Sequence, residues 1–310
     1  MGDVVDLSAV KQAQQKTWSE GDFSVVAGIV VTVAEELAEA LDIVPGERVL
    51  DVACGSGNGA IAAARRAWGN TVGADFVPAL LERGRERAAA ERLDVEFVEG
   101  DASALPFGDG EFDVVMSIFG AMFAAEQERT AAELLRACRP GGRIGMANWV
   151  PDGFVGEMFM TTAKHAPPPP GVMPPVLWGT EDRLRELFGD GISDLRIERR
   201  TSFQRFRSAD HWLEVFRTYF GPTKVAFERV GSEGEAALEA EIKELLGRYN
   251  RAGERALVVG ADYLQVVATR APRKPLRRWA GSRGPWRRSA ARRGRPGPQP
   301  GRPDLARRRR

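Results

Sequence analysis

Along the first 150 residues the spacing of apolar positions changes repeatedly. Ala, Val, Leu and Glu recur at helical period over residues 24–42, with Ser24 as the expected N-cap and Pro45-Gly46 as the stop. Residues 48–53 form an apolar run of strand length, residues 55–59 a glycine-rich loop, and residues 60–67 an alanine-rich helix. The alternation continues with a strand at 70–76, a helix at 78–92 whose wet face carries Glu and Arg, and strands at 95–98 and 112–118. A helix at 126–138, ended by Pro140-Gly141-Gly142, and a strand at 143–149 follow. Such alternation predicts an α/β fold, a doubly wound, mostly parallel, Rossmann-like sheet with helices on both faces. Right-handed crossovers bring the strands' C-terminal ends to one edge, where ligands bind.

After Trp149 the pattern loosens. Residues 150–178 contain an apolar segment at 154–159 and a proline run at 167–170, and read as a lid or covering loop. A short helix at 180–188 with Thr180 as N-cap, a strand at 194–207, helices at 209–220 and 235–249, and a strand at 263–269 complete the chain's regular elements. The expected sheet is seven-stranded, with its last strand antiparallel, under a helical cover. Residues 1–270 are expected to be one domain, with 24–150 as a cofactor-binding core and 150–255 as substrate-covering insertions. Residues 271–310 are Arg, Pro, Gly and Ala, too poor in apolar side chains to build a core, and are expected to be a disordered tail.

Charge divides the chain the same way. The total is +1, yet residues 271–310 hold 14 Arg and one Lys against one Asp, which leaves −13 on residues 1–270. An Arg-rich tail raises the question of a nucleic-acid partner, since arginine neutralises phosphates. The acidic body argues against one. Apolar runs such as 25–34 are far shorter than a membrane span, and the N-terminus shows no basic region followed by an apolar stretch, so the expected location is the cytoplasm, with no membrane partner. Two cysteines, Cys54 and Cys138, and two histidines make neither a disulfide framework nor a zinc site, and no metal is expected. Oligomeric state is not encoded in these patterns.

The chemistry concentrates in Asp51-Val-Ala-Cys-Gly-Ser-Gly-Asn-Gly59, a glycine loop between a strand and a helix that lets a ligand approach the backbone. By itself it fits an NAD(P) oxidoreductase as well as an S-adenosylmethionine enzyme. Asp51 sits where it would pair with loop amides and with an ammonium, and where it would repel a pyrophosphate. The helix after the loop lacks the Lys-Ser/Thr of a P-loop. The third glycine, Gly59, falls one residue early for a dinucleotide loop, and Ala60 holds the expected place. Asp75, ending the next strand, can accept hydrogen bonds from both hydroxyls of a ribose in either cofactor. Asp101, in Gly100-Asp-Ala-Ser-Ala-Leu-Pro-Phe107, can accept from an adenine amine, with the Ala102 amide beside it.

Together with Phe112-Asp-Val-Val115 and Arg139-Pro-Gly-Gly142, this series resembles the class I S-adenosylmethionine-dependent methyltransferases, in particular the group that includes the ubiquinone/menaquinone biosynthesis methyltransferases. The resemblance covers residues 45–150. It implies that Asp51, Ala53, Gly55, Ser56 and Gly57 hold the methionine part of the cofactor, that Asp75 binds the ribose with Phe76 near the adenine, and that Asp101 and Ala102 bind the adenine. It also places Ser117 or Ile118 near the sulfonium. Residues 118–123, Ile-Phe-Gly-Ala-Met-Phe, are similar to a Phe-Gly stretch of the quinone enzymes but carry Ala121-Met122 in place of a basic, polar pair, which counts against a quinone acceptor. The Trp18-x-x-Gly-Asp-Phe23 element resembles N-terminal segments that fold over the cofactor.

On this reading the enzyme transfers a methyl group to a small aromatic or polyketide-like molecule. Its pocket would be lined by Trp18, Phe119, Met122, Phe123, Phe154 and Trp178. His165 and His211 are the histidines available as a general base. An RNA methyltransferase using the basic tail is the other class of enzyme compatible with the chain, although Ser117-Ile-Phe-Gly120 stands where an amino-methylating Asn-Pro-Pro-Tyr motif would be.

Overall fold

The computed structural model describes residues 6–168 and 171–272. Pro169, Pro170 and, from residue 273 on, the basic tail lie outside the described residues.

One sheet contains β1 (Val49–Val52), β2 (Thr71–Asp75), β3 (Val95–Glu99), β4 (Phe112–Ile118), β5 (Cys138–Trp149), β6 (Ile192–Phe206) and β7 (Leu257–Arg270), in the order β3-β2-β1-β4-β5-β7-β6. Strands β1 to β5 pair in parallel, and β7 runs antiparallel between β5 and β6. Every residue of β1 and β2 is buried, as expected of central parallel strands covered on both faces.

The period of two divides each strand between two cores. Val49, Val114 and Met116 pack with Ala34 and Leu37 of α3 (Val31–Ala40), with Leu41 just after it, and with Ala62, Ala63 and Ala67 of α4 (Asn58–Ala67). Leu50, Val52, Val115, Ile144 and Met146 join the larger core on the other face. That core includes Ala131 and Leu134 of α6 (Gln127–Ala137), Leu184 of α8 (Glu181–Phe188), and Leu238, Ile242 and Leu246 of α10 (Gly221–Tyr249). Helix α5 (Pro78–Ala90) lies against β2 and β3, and its Leu81 and Ala88 pack with Phe97.

The structure departs from the sequence reading in four places. The expected helix over 24–42 is broken into α2 (Phe23–Ala27), a 3-10 turn and α3, and its cap is Asp22, whose carboxylate accepts from Ser24 N at 3.1 Å. Residues 7–19, to which the sequence pattern assigned no element, form α1 (Leu7–Ser19). The covering segment contains a regular helix, α7 (Phe154–His165), because Phe154, Met158 and Thr161 share a face and the Phe154 ring meets Tyr249 at 5.5 Å and Trp212 at 6.4 Å. The helix expected at 235–249 starts at Gly221 and is kinked at Gly231, where φ is 62°; α9 (Ala209–Tyr219) precedes it. No helix among the described residues is long and apolar enough to cross a membrane.

Candidate functional site

Because β1 pairs with β2 on one side and β4 on the other, the chain reverses its winding at the β1/β4 boundary, the place where open α/β sheets bind ligands. A cleft of about 1010 Å³, counted to its open mouth, lies there. Its walls include Asp51 near the end of β1 with Ala53, Cys54, Gly55 and Ser56 after it, Asp75 at the end of β2 with Phe76, Asp101 and Ala102 after β3, and Ile118 at the end of β4 with Phe119 and Gly120. The loop after β1 turns into α4 at Gly57, whose φ of 84° and contact with the Phe97 ring leave no room for a Cβ. Ala53 and Phe119 also adopt positive φ, 52° and 51°, so the backbone is strained at two points of the cleft wall.

Three carboxylates stand in this wall, each in a different electrostatic setting. Asp51 is fully buried; one oxygen accepts from Ala60 N at 2.8 Å and the other, Oδ1, has no partner. Burial pushes its carboxyl up to about 8, against the pull of the Ala60 and Gly59 amides, and the Asp75 charge adds to the rise. Asp75 accepts from Gly55 N at 2.8 Å and from Val77 N at 2.9 Å, and burial still raises it to about 6. Asp101 is less enclosed. Burial pushes it up, but Lys11 and Ser103 outweigh this and hold it below the usual carboxylate range. Its Oδ1 accepts from Ser103 N and Oγ, both at 2.8 Å, and its Oδ2 from Lys11 Nζ at 2.8 Å.

An acidic wall with a buried, unpartnered carboxylate oxygen suits a ligand that carries positive charge at that end. A dinucleotide would have to bring its pyrophosphate past Asp75 without a compensating cation, since Lys11, the one cation lining the cleft among the described residues, is engaged at Asp101. S-adenosylmethionine, with an ammonium, a sulfonium, a ribose and an adenine amine, matches the donor set that these acids lack.

The remaining residues singled out from the sequence fall in two groups. Trp18, Phe119 and Phe123 line the cleft. Phe119 stacks on Trp149 with ring centroids 3.6 Å apart, and Trp18 meets Phe23, Phe123 and Phe220 edge-on at 5.4, 5.1 and 5.6 Å. Gly57, Ser117, Met122, Phe154 and Trp178 are not in its lining. Ser117 is buried behind the cleft, donating to Val52 O at 2.7 Å and accepting from Ala121 N at 2.9 Å, so it ties β4 to β1. Met122 and Phe154 are core residues, and Trp178 packs edge-on to Phe188. Both histidines are engaged elsewhere, His165 Nε2 with Glu241 at 3.0 Å and His211 Nδ1 accepting from Arg207 N at 3.2 Å.

Three polar cleft residues were given no role in the sequence reading: Lys11, Gln14 and Asn58. The spacing of Lys11, Gln14 and Trp18 puts them on one helical face, a signal present in the sequence. Asn58 donates to Ala27 O at 2.8 Å and ties the glycine loop to α2.

The chain matches the methyltransferase domain family over residues 49–142. It is 40% identical over 249 residues to the uncharacterized protein Rv1403c of Mycobacterium tuberculosis, a similarity that covers 79% of this chain and 90% of that protein. Over 139 residues it is 40% identical to the demethylmenaquinone methyltransferase of Deinococcus radiodurans, covering 44% of this chain and 57% of the other. Its fold is similar to that of the YcgJ protein of Bacillus subtilis, with a TM-score of 0.56 at 15% identity over 77% of this chain and 99% of that one.

Proposed function

The chain belongs to the class I S-adenosylmethionine-dependent methyltransferases, and on that premise we propose that it methylates a small, flat, apolar acceptor of aromatic or polyketide-like character. The observation that carries this reading is the aromatic lining of the cleft, Trp18 packed on Phe23 and Phe123, with Phe119 also in the wall.

The cofactor supplies a methyl group already activated by its sulfonium. The protein's work is to bind, align and exclude water. Asp51 would hold the ammonium, with Ala53, Gly55 and Ser56 against the methionine part and Gly57 shaping the turn. Asp75 would accept from the ribose hydroxyls. Phe76 would pack near the adenine, and Asp101 and Ala102 would take its amine and ring edge. Ile118 would face the sulfonium, with Ser117 fixing the strand end beneath it. The acceptor would enter between the aromatic wall and Ala27 and Val30 of the N-terminal helices. Neither histidine lies where it would take a proton from that acceptor, which favours nucleophiles that ionise without help, such as acidic phenols and enols. Residues 150–255 would cover the acceptor from the far side, beginning with Phe159 behind Phe123 at 5.9 Å.

A radiolabelled methyl-transfer screen tests this. Phenolic and β-dicarbonyl acceptors should take label, whereas aliphatic amines and RNA should not. Label confined to amines or RNA would overturn the proposal.

A further inference from the structure

Helix α1 lies over the cleft although none of its residues is buried. Its C-terminal end is anchored by shape. At the start of α10, Gly221 approaches the Thr17 carbonyl so closely that any side chain there would collide with it, and Lys224 Nζ reaches Glu20 at 2.6 Å. Beside it Trp18 packs edge-on to Phe23, Phe123 and Phe220, and the remaining ties are polar. Gln14 donates to Phe123 O at 2.9 Å and Gln15 to Phe76 O, and both bonds join the helix to backbone on the cleft wall.

Lys11 makes the most connected of these ties. Its ammonium reaches Asp101 Oδ2 at 2.8 Å, Ser103 Oγ at 2.6 Å and the Glu126 carboxylate. With Ser103 on Oδ1, both oxygens of Asp101 are already engaged, one of them by a side chain of the covering helix. Glu126 gives Lys11 a second anion beside the first. Lys11 can therefore leave Asp101 and keep a charge partner, so that the exchange costs only the difference between two charge-assisted hydrogen bonds.

We propose that Lys11 is a cofactor-positioning residue that holds α1 over the adenine end and gives up Asp101, keeping Glu126, as the adenine amine takes up Asp101. This inference rests on the cofactor reading above. Closure and adenine recognition are then one event: the arriving amine takes an acceptor oxygen, and the displaced ammonium stays on Glu126, which does not line the cleft.

The test uses the full chain and two probes, S-adenosylhomocysteine and S-inosylhomocysteine, in which a carbonyl replaces the amine. Affinity is measured by calorimetry and release by stopped-flow fluorescence. Glu126→Gln should weaken S-adenosylhomocysteine about tenfold, the loss of one charge-assisted partner, and leave S-inosylhomocysteine unchanged. Lys11→Met should speed release of S-adenosylhomocysteine about tenfold, and Lys11→Arg should restore most of the difference. Equal affinity of wild type and Glu126→Gln for S-adenosylhomocysteine, or equal loss with both probes, would overturn the exchange. Release from Lys11→Met at the wild-type rate would overturn the closing role. If the wild-type chain bound neither probe, the cofactor reading would fall, and this inference with it.

Discussion

Asp51→Asn separates the charge of the buried carboxylate from its shape. The asparagine keeps an oxygen to accept from Ala60 N, the bond seen at 2.8 Å, and loses the anion whose Oδ1 has no partner. If that anion holds the cofactor's ammonium, the lost charge-assisted bond is worth about 1.5–3 kcal/mol, or roughly 10- to 150-fold in affinity for S-adenosylhomocysteine. The pH dependence is a second signature. With its carboxyl pushed up to about 8, Asp51 is largely protonated in the free enzyme at neutral pH and must ionise to bind, so wild-type affinity should climb from pH 6.5 to 8.5. Asp75, at about 6, contributes only to the lower edge of this window. Stability of the free enzyme should run the other way. The folded-state carboxyl is raised above its unfolded value, so the folded form binds more protons between the two, and the stability present at low pH is lost as pH rises toward 8. Calorimetric titrations and thermal melts across this range measure both effects. Asp51→Asn should flatten the affinity climb and remove Asp51's share of the fall in stability. A variant that binds at wild-type strength, or keeps the climb, would refute the assignment.

Asp75→Ala should weaken S-adenosylhomocysteine by about 1.5–3 kcal/mol in equilibrium dialysis, and unchanged affinity would remove the ribose assignment. His165→Gln and His211→Gln should keep methyl transfer to any acceptor found in the screen within about twofold, because a general base contributes on the order of a hundredfold or more. A large loss in either would restore a histidine base. Gly57→Ala should lower the melting temperature by an amount equivalent to about 1–3 kcal/mol, since it combines a left-handed φ of 84° with a clash against Phe97. An unshifted melt would show that the loop relaxes at no cost.

What was legible in the sequence was the part of the site built locally. Asp51 and Asp75 lie at the C-terminal ends of buried strands and Asp101 in the loop after β3, so the alternation of strand and helix puts them on a single edge without knowledge of any distant contact. The parallel part of the sheet followed from the same alternation, whereas the antiparallel β7 has no signature in its own residues. Helix α1 was missed because its apolar positions are few and it is held by Lys11, Gln14 and Gln15 through polar bonds to residues more than 60 positions away. Hydrophobic periodicity reports burial, and none of this helix is buried. α7 was missed for the opposite reason: its apolar residues and the nearby prolines looked like a covering loop, and only Tyr249 and Trp212, brought in from the C-terminal third, give Phe154 a face to pack on. Met122 and Trp178 were assigned to the pocket on residue type alone, and the fold buries both.

The same helix that the sequence obscured joins the two halves of the site. Lys11 and Trp18 lie two helical turns apart on one face of α1, the first at the adenine end beside Asp101 and the second in the aromatic wall against Phe23 and Phe123. Trp18 stands beside the end of α1 that Gly221 anchors and already meets Phe23, Phe123 and Phe220, so movement of the Lys11 end pivots about a fixed aromatic contact. On the proposed function, the acceptor's aromatic contact would be preformed, and only the Lys11 end of the helix would respond to the cofactor.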